Sequence, residues 1–184
     1  VDPQAVEDRL RADADGKIKA VCVVHNETST GSTSAIAEVR AAIDSVGHNA
    51  LLLVDTISSL ASIDFKHDEW GVDVTVSGSQ KGLMLPPGLS FNAVSEKALS
   101  VSRASGMRRS YWDWSEQIAA NADGAFPYTP ATNLLYGLAE AIDMLNEEGL
   151  DAVFARHDRH AAATRRAVQA WGLEVLCQEP RDFS

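Results

Sequence analysis

The sequence predicts an α/β fold with a mostly parallel sheet and flanking helices. Short apolar runs of strand length alternate with longer stretches in which apolar residues recur every three to four positions. This order of strand, helix and strand is typical of parallel sheets with crossover connections. The length of 184 residues, with 45% hydrophobic and 23% charged residues, indicates a globular chain.

The first half of the chain contains four predicted strands. They are expected at residues 18–25, 51–55, 72–79 and 89–94. Between the first two strands, apolar residues from Ile36 to Val46 recur at helical spacing, and Gly47 is placed to end that helix. Both cysteines, Cys22 and Cys177, lie in apolar runs, so we predict buried free thiols rather than a disulfide.

The second half of the chain is predicted to be mostly helical. From Ser95 onward the expected elements are a helix, an irregular stretch over residues 102–123, two long helices that end near Gly149 and Gly172, and a strand over residues 173–177. Thr129 and Pro130 are placed as the cap and the first-turn proline of the first long helix.

Charge and composition exclude several classes of partner. Sixteen Lys and Arg against 26 Asp and Glu give a net charge of -10, which disfavours binding to a phosphate backbone. No apolar run approaches the roughly 20 residues of a membrane span, and the first residues are acidic. We therefore expect a cytoplasmic protein that binds neither nucleic acid nor membrane. A local basic and aromatic cluster is predicted to form a subunit interface or the rim of a site; it comprises Arg103, Arg108, Arg109, Tyr111, Trp112 and Trp114.

Polar residues that follow the predicted strands are the candidates for a functional site. The segments HNETSTG, DTISS and SGSQKG each come after an apolar run. In parallel sheets such segments meet at the carboxyl edge, where ligands gather. Asp55 is either a turn-capping residue or a carboxylate that faces a cationic ligand. Lys81 is either a solvated loop charge or, among its small neighbours, a nucleophile that forms an imine.

This combination of residues suits one cofactor, pyridoxal phosphate. The cofactor needs a lysine for its aldehyde, a carboxylate for its ring nitrogen and donors for its phosphate. Lys81 and Asp55 supply the first two, and hydroxyls follow the first strand at Thr28, Ser29 and Thr30. The pattern alone favours this interpretation only modestly over a structural lysine.

Four motifs in chain order carry a more specific signal: HNETSTG, LLLVDTISSL, DVTVSGSQKGLMLPPGLSF and FPYTPATNLLYGL. They resemble those of class V pyridoxal phosphate-dependent aminotransferases, in particular the serine–glyoxylate and alanine–glyoxylate branch. The resemblance implies a type I transferase fold, with residues 1–149 as part of the large domain. Residues 150–184 would then be the linking helix and first strand of the small C-terminal domain.

The resemblance also implies the roles of individual residues. Lys81 would hold the cofactor covalently, and Asp55 would pair with the pyridine nitrogen. Thr28 would bond near the phenolic oxygen, and Gln80 would reach the phosphate. Thr129 would bind the phosphate of a neighbouring subunit, which implies a homodimer. The implied reaction transfers the amino group of serine, alanine or aspartate to a small keto acid, glyoxylate.

Members of this family are considerably longer than this chain. Their phosphate loop and ring-stacking aromatic precede the segment that matches residues 18–25, and their substrate-carboxylate arginine lies beyond Ser184. We therefore expect the 184 residues to be a middle portion that, in isolation, binds cofactor weakly and is inactive. Phe126 stands where alanine–glyoxylate relatives carry a phosphate-binding tyrosine, a contact that phenylalanine cannot make.

Other functions remain open at this point. One is a lysine Schiff-base lyase or aldolase without cofactor, and another is an inactive folded piece that only dimerises. A desulfurase-like reaction is disfavoured because neither cysteine lies in a flexible polar loop. His157 and His160 are three residues apart on a predicted helix, but no third ligand accompanies them, so we predict a solvated face and no metal site.

Overall fold

The computed structural model describes residues 1–184 and contains six α-helices, six strands and two short 3-10 helices, at Ser110–Trp112 and Pro180–Asp182. The helices are α1 (Pro3–Arg11), α2 (Ile36–Ser45), α3 (Glu96–Ala104), α4 (Trp114–Ala122), α5 (Thr132–Glu148) and α6 (Leu150–Ala170). The strands are β1 (Ala20–Val24), β2 (Asn26–Glu27), β3 (Ser32–Thr33), β4 (Leu51–Asp55), β5 (Val74–Gly78) and β6 (Ser90–Val94). None of these helices combines the length and the apolarity that crossing a bilayer requires.

The main sheet has four strands in the order β1-β4-β5-β6. The first three are parallel and β6 is antiparallel to β5, so the predicted α/β fold with a mostly parallel sheet is confirmed. Strands β2 and β3 form a small separate hairpin within the polar segment that follows β1. The four long apolar runs of the sequence are therefore the four strands of the main sheet.

One face of the sheet carries the core. Along β1 and β4 alternate side chains, such as Val23, Leu52 and Val54, are buried against helices α1 and α2, because successive residues of a strand point to opposite faces. Helix α2 contributes the fully buried Val39 and Ile43, which lie one turn apart on one helix face. Both residues belong to the apolar pattern that predicted this helix, so the predicted apolar face is the face that is buried.

The same alternation shows that the cysteine prediction is wrong. Cys22 follows the opposite phase to Val23 and is exposed on the face of β1 that α1 and α2 do not cover. Cys177 is only half-buried. Both thiols are free, as predicted, but neither is buried in the core. An apolar neighbourhood along the chain is thus a poor guide to burial in a strand.

Three predictions in the second half need correction. Residues 102–123 are not irregular throughout, because Asp113 caps α4 by accepting a hydrogen bond from the Ser115 amide at 2.8 Å. Helix α5 begins at Thr132, so Thr129 precedes it without capping it. Residues 173–177 form no strand, since a strand requires a neighbouring strand to pair with and this segment has none.

A buried carboxylate holds the amino edge of the sheet together. Asp73 accepts hydrogen bonds from the Leu52 amide at 2.9 Å and the Ser95 hydroxyl at 3.0 Å. Two cations flank the same carboxylate, Arg40 at 3.5 Å and Lys97 at 3.6 Å. Asp73 therefore links α2, β4 and α3 before β5 begins.

Candidate functional site

The carboxyl edge of the sheet brings together the three polar segments singled out in the sequence. Val24, Asp55 and Val76 lie side by side at this edge in the parallel register. The His25 amide continues the ladder by donating to the Asp55 carbonyl at 2.9 Å, and the Thr56 amide donates to the Val76 carbonyl at 2.8 Å. The predicted meeting of these segments at one edge is confirmed.

Asp55 is the last residue of β4 and is half-buried. Its Oδ1 accepts a hydrogen bond from the Ile57 amide at 2.8 Å, which fixes the carboxylate in a turn at the strand end. Its Oδ2 makes no hydrogen bond within the chain. Both alternatives for this residue are therefore compatible with the structure, because one oxygen holds the turn and the other is available to a ligand.

Lys81 lies on the connection between β5 and β6, residues 79–89, which we call the lysine loop. Its side chain is exposed, and its Nζ takes part in no ion pair or hydrogen bond within the chain. The residue borders a cavity of about 240 Å³. The lining of this cavity is mostly polar and comprises Ser58, Ser62, Lys81, Gly82, Met84, Leu145, Arg156 and His157.

The lysine loop packs very closely against the turn that follows Asp55. A Cβ on Gly82 would lie 2.1 Å from the Leu60 carbonyl oxygen, so only glycine fits at this position. Ala61 and Met84, on the two sides of this contact, both have a φ of 60°. Left-handed backbone is costly for a residue with a side chain, and such strain is concentrated at functional sites.

Sequence reasoning missed two residues that line the cavity beside Lys81. His157 is predicted to lie on a solvated helix face and Arg156 is not singled out in the sequence, but both are half-buried. Arg156 binds Glu148 with two hydrogen bonds of 2.7 and 2.8 Å, and this bond lowers the pKa of Glu148 and raises that of Arg156. His157 Nδ1 lies 2.8 Å from the Val153 carbonyl oxygen. The Arg156–Glu148 pair joins α6 to the end of α5 across the turn at Gly149, so the spacing of residues within a single helix does not predict it.

Of the predicted site residues, only Lys81 lines this cavity; the others, which lie outside its lining, are Asp55, Gln80, Thr28 and Thr129. Gln80 is exposed, and its Oε1 would lie only 2.8 Å from a Cβ on Gly78, so the amide folds back over that glycine. Thr28 is exposed in the turn between β2 and β3. Thr129 is exposed in the coil before α5, and no contact within the chain brings it to Lys81.

A buried histidine lies behind the carboxyl edge. His25 is 3% exposed, and its Nδ1 lies 2.9 Å from the Ser59 hydroxyl. Its ring packs against Phe65 and Trp70, with ring centroids 5.2 and 6.0 Å away. Because this burial penalises the imidazolium, it lowers the pKa of His25 from 6.5 to about 4, although Asp64 opposes the shift.

This histidine makes the stability of the fold depend on pH. Below the unfolded-state pKa of 6.5, the unfolded chain binds a proton that folded His25 does not accept. The contribution of neutral His25 to the free energy of unfolding is therefore fully present above that pH and is lost as the pH falls toward 4. Between about pH 7.5 and about pH 5, we expect wild type to lose about 2 kcal/mol more unfolding free energy than His25→Asn. Urea titrations at both pH values measure this difference.

The matched control for this prediction is His160→Asn, which removes an exposed imidazole from α6. We expect this variant to keep the pH dependence of wild type. An equal loss of unfolding free energy in His25→Asn and wild type would show that His25 does not resist protonation in the folded chain.

Comparison with known proteins identifies a family. The family model described as Aminotransferase class-V matches residues 2–182. The serine–glyoxylate aminotransferase of Methylorubrum extorquens is 53% identical over 183 residues, which cover 97% of this chain and 46% of the relative. The L-aspartate–glyoxylate aminotransferase of Paracoccus denitrificans is 45% identical over 178 residues, with 97% and 45% covered.

A solved structure shares the fold. The crystal structure of pyridoxamine–pyruvate aminotransferase from Mesorhizobium loti matches with a TM-score of 0.86 at 34% identity, and the match covers 100% of this chain and 47% of that one. The chain thus spans about half the length of the relatives that it matches.

Proposed function

Because this chain belongs to the class-V aminotransferase family, we propose that it forms the lysine-bearing part of a pyridoxal phosphate-dependent transaminase. The proposed reaction transfers the amino group of serine, alanine or aspartate to glyoxylate. The observation that carries the proposal is the carboxyl edge of the sheet, where Asp55 ends β4 and Lys81 follows the neighbouring β5. Relatives named for serine–glyoxylate and aspartate–glyoxylate transfer support the choice of substrates.

The residues present fit the cofactor. Pyridoxal phosphate needs an amine without a competing partner, and Lys81 Nζ has none within the chain. It needs a carboxylate for its ring nitrogen, and Asp55 keeps Oδ2 free while Oδ1 holds the turn. Gly78 has no Cβ, so the side-chain amide of Gln80, which is the proposed phosphate donor, can lie close to the backbone there.

Each residue then has a defined chemical task. When bound, the cofactor supplies an aldehyde for amino groups and a protonated ring that withdraws electrons from the substrate Cα. Lys81 Nζ would hold that aldehyde in the resting protein. As a free, neutral amine, the same nitrogen would take the proton from the substrate Cα and deliver a proton to the cofactor carbon that had carried the aldehyde. The Asp55 carboxylate keeps the ring nitrogen protonated.

The other predicted contacts belong to the same proposal. Thr28 would bond near the phenolic oxygen and Gln80 near the phosphate, while Thr129 would serve the site of a second copy in a homodimer. Exposed aromatic side chains support such a pairing, since Trp112 is 78% and Tyr136 is 79% exposed. We place the whole protein in the cytoplasm.

The domain assignment follows from the same family membership. Residues 1–149 would be part of the large, cofactor-binding domain, and α6 would lead toward the small domain. The parallel sheet and its carboxyl edge lie within residues 1–149, which supports this division.

Borohydride trapping tests the proposed function directly. The full-length protein that contains these residues is reduced with and without added pyridoxal phosphate, and its peptides are mapped by mass. We expect one cofactor adduct, on Lys81, because reduction makes an imine permanent. Lys97, which lies beside Asp73 at the opposite edge of the sheet, is the internal control and stays unmodified.

Two outcomes would contradict the proposal. A substrate adduct on Lys81 that forms without the cofactor would favour a Schiff-base lyase. A folded protein that takes up no cofactor at Lys81 under any condition would favour a structural role.

A further inference from the structure

Ser79 closes the neck of the lysine loop. The residue is fully buried, and its hydroxyl donates to the Pro86 carbonyl at 2.7 Å and accepts from the Leu89 amide at 3.2 Å. Its own amide donates to the Leu89 carbonyl at 3.2 Å, and its carbonyl accepts from the Leu85 amide at 3.1 Å. One residue therefore ties the beginning of the loop to its end through four hydrogen bonds.

Packing from outside leaves the lysine loop little room to adjust. Gly82 lies against the Leu60 carbonyl, as described above, and a Cβ on Gly137 of α5 would lie 2.7 Å from Leu85 Cδ2. At the end of the loop, a Cβ on Gly88 would lie 2.6 Å from Leu134 Cδ1. The loop is thus held by its neck on one side and by α5 on the other.

The position of Lys81 depends on this neck because only Gln80 separates it from Ser79. Without the hydroxyl, the Pro86 carbonyl and the Leu89 amide lose a partner. Since Pro86 is exposed and Leu89 is only half-buried, water would take the place of the hydroxyl as their partner, and the neck would open toward water. Such an opening shifts the Lys81 backbone relative to the contact at Gly82.

We propose that Ser79 is a positioning residue that sets where the Lys81 amine meets an incoming aldehyde. This inference rests on the proposed function, since it assumes that Lys81 captures pyridoxal phosphate. Misplacement of a reacting group by about 1 Å can lower a rate by about a hundredfold. Loss of the hydrogen bonds that Ser79 makes with its hydroxyl should therefore slow cofactor capture by more than a decrease in the folded fraction would explain.

The test compares Ser79→Ala with Ser95→Ala in the full-length, cofactor-free protein. Ser95 is the matched control because its hydroxyl also makes two hydrogen bonds, to the Asp73 carboxylate and the Ala98 amide, but at the opposite edge of the sheet. The rate of capture is measured by adding pyridoxal phosphate and quenching with borohydride at intervals. We expect Ser79→Ala to capture about tenfold to a hundredfold more slowly than wild type, and Ser95→Ala to keep the wild-type rate.

Hydrogen exchange supplies a second readout that needs no cofactor. We expect the Leu85 and Leu89 amides to exchange slowly in wild type and quickly in Ser79→Ala, and to remain slow in Ser95→Ala. Capture by Ser79→Ala at the rate of Ser95→Ala would overturn the inference while leaving the proposed function intact. Rapid exchange of both amides in wild type would also overturn it, even if Ser79→Ala did not fold. A wild type that captures no cofactor would instead remove the proposed function itself.

Discussion

Replacing Asp55 with Asn is expected to lower kcat/KM for amino transfer by about a hundredfold to a thousandfold. Asparagine keeps the Oδ1 acceptor for the Ile57 amide, so the turn at the end of β4 persists. It removes the negative charge that we propose holds a proton at the ring nitrogen. Steady-state kinetics of the full-length protein with serine and glyoxylate measure the loss.

The stability of Asp55→Asn separates this effect from unfolding. We expect its free energy of unfolding to lie within about 0.5 kcal/mol of wild type. Asp68→Asn, which neutralises an exposed carboxylate in the same connection between β4 and β5, should change neither quantity. Wild-type turnover by Asp55→Asn would refute the assigned role of this carboxylate.

Replacing Asp73 with Ala is expected to lower the free energy of unfolding by about 3–5 kcal/mol. The substitution leaves Arg40, whose side chain is only 14% exposed, without its buried partner. It also removes the acceptor for the Leu52 amide and the Ser95 hydroxyl. Urea denaturation followed by tryptophan fluorescence measures the change.

Asp44→Ala is the matched control for Asp73. Asp44 also pairs with Arg40, at 2.6 Å, but its side chain is 66% exposed. Exposed pairs contribute less than about 1 kcal/mol, so we expect a small effect. Equal destabilisation by the two substitutions would show that burial does not determine the strength of these pairs.

The parallel part of the sheet follows from the sequence because apolar runs locate its strands. Once the strands are placed, Asp55 and the segment that contains Lys81 must follow neighbouring strands at the same edge, since parallel strands end together. The antiparallel direction of β6 is also consistent with the sequence. Residues 79–89 are fewer than the dozen or so that a parallel crossover needs, so the short connection favours an antiparallel strand.

Other features depend on tertiary packing and leave no local signal. The exposure of Cys22 follows from which face α1 and α2 cover, and an almost continuous apolar strand does not reveal this. The approach of Arg156 to Lys81 depends on how α6 turns back at Gly149. The sequence shows that Gly82 is small, but it does not show that the Leu60 carbonyl, which is distant in sequence, leaves no room for a side chain there.

The closed neck of the lysine loop has a thermodynamic consequence for cofactor uptake. Because the backbone is already ordered, the position of the Lys81 amine changes through side-chain torsions alone. The amine can therefore move between the aldehyde of the proposed cofactor and the substrate Cα without movement of the loop. On the protein's side, attachment of the proposed cofactor would then cost only the rotamer freedom of one lysine, about 2 kcal/mol at most. If the loop were flexible, attachment would also cost the conformational entropy of each loop residue that became ordered.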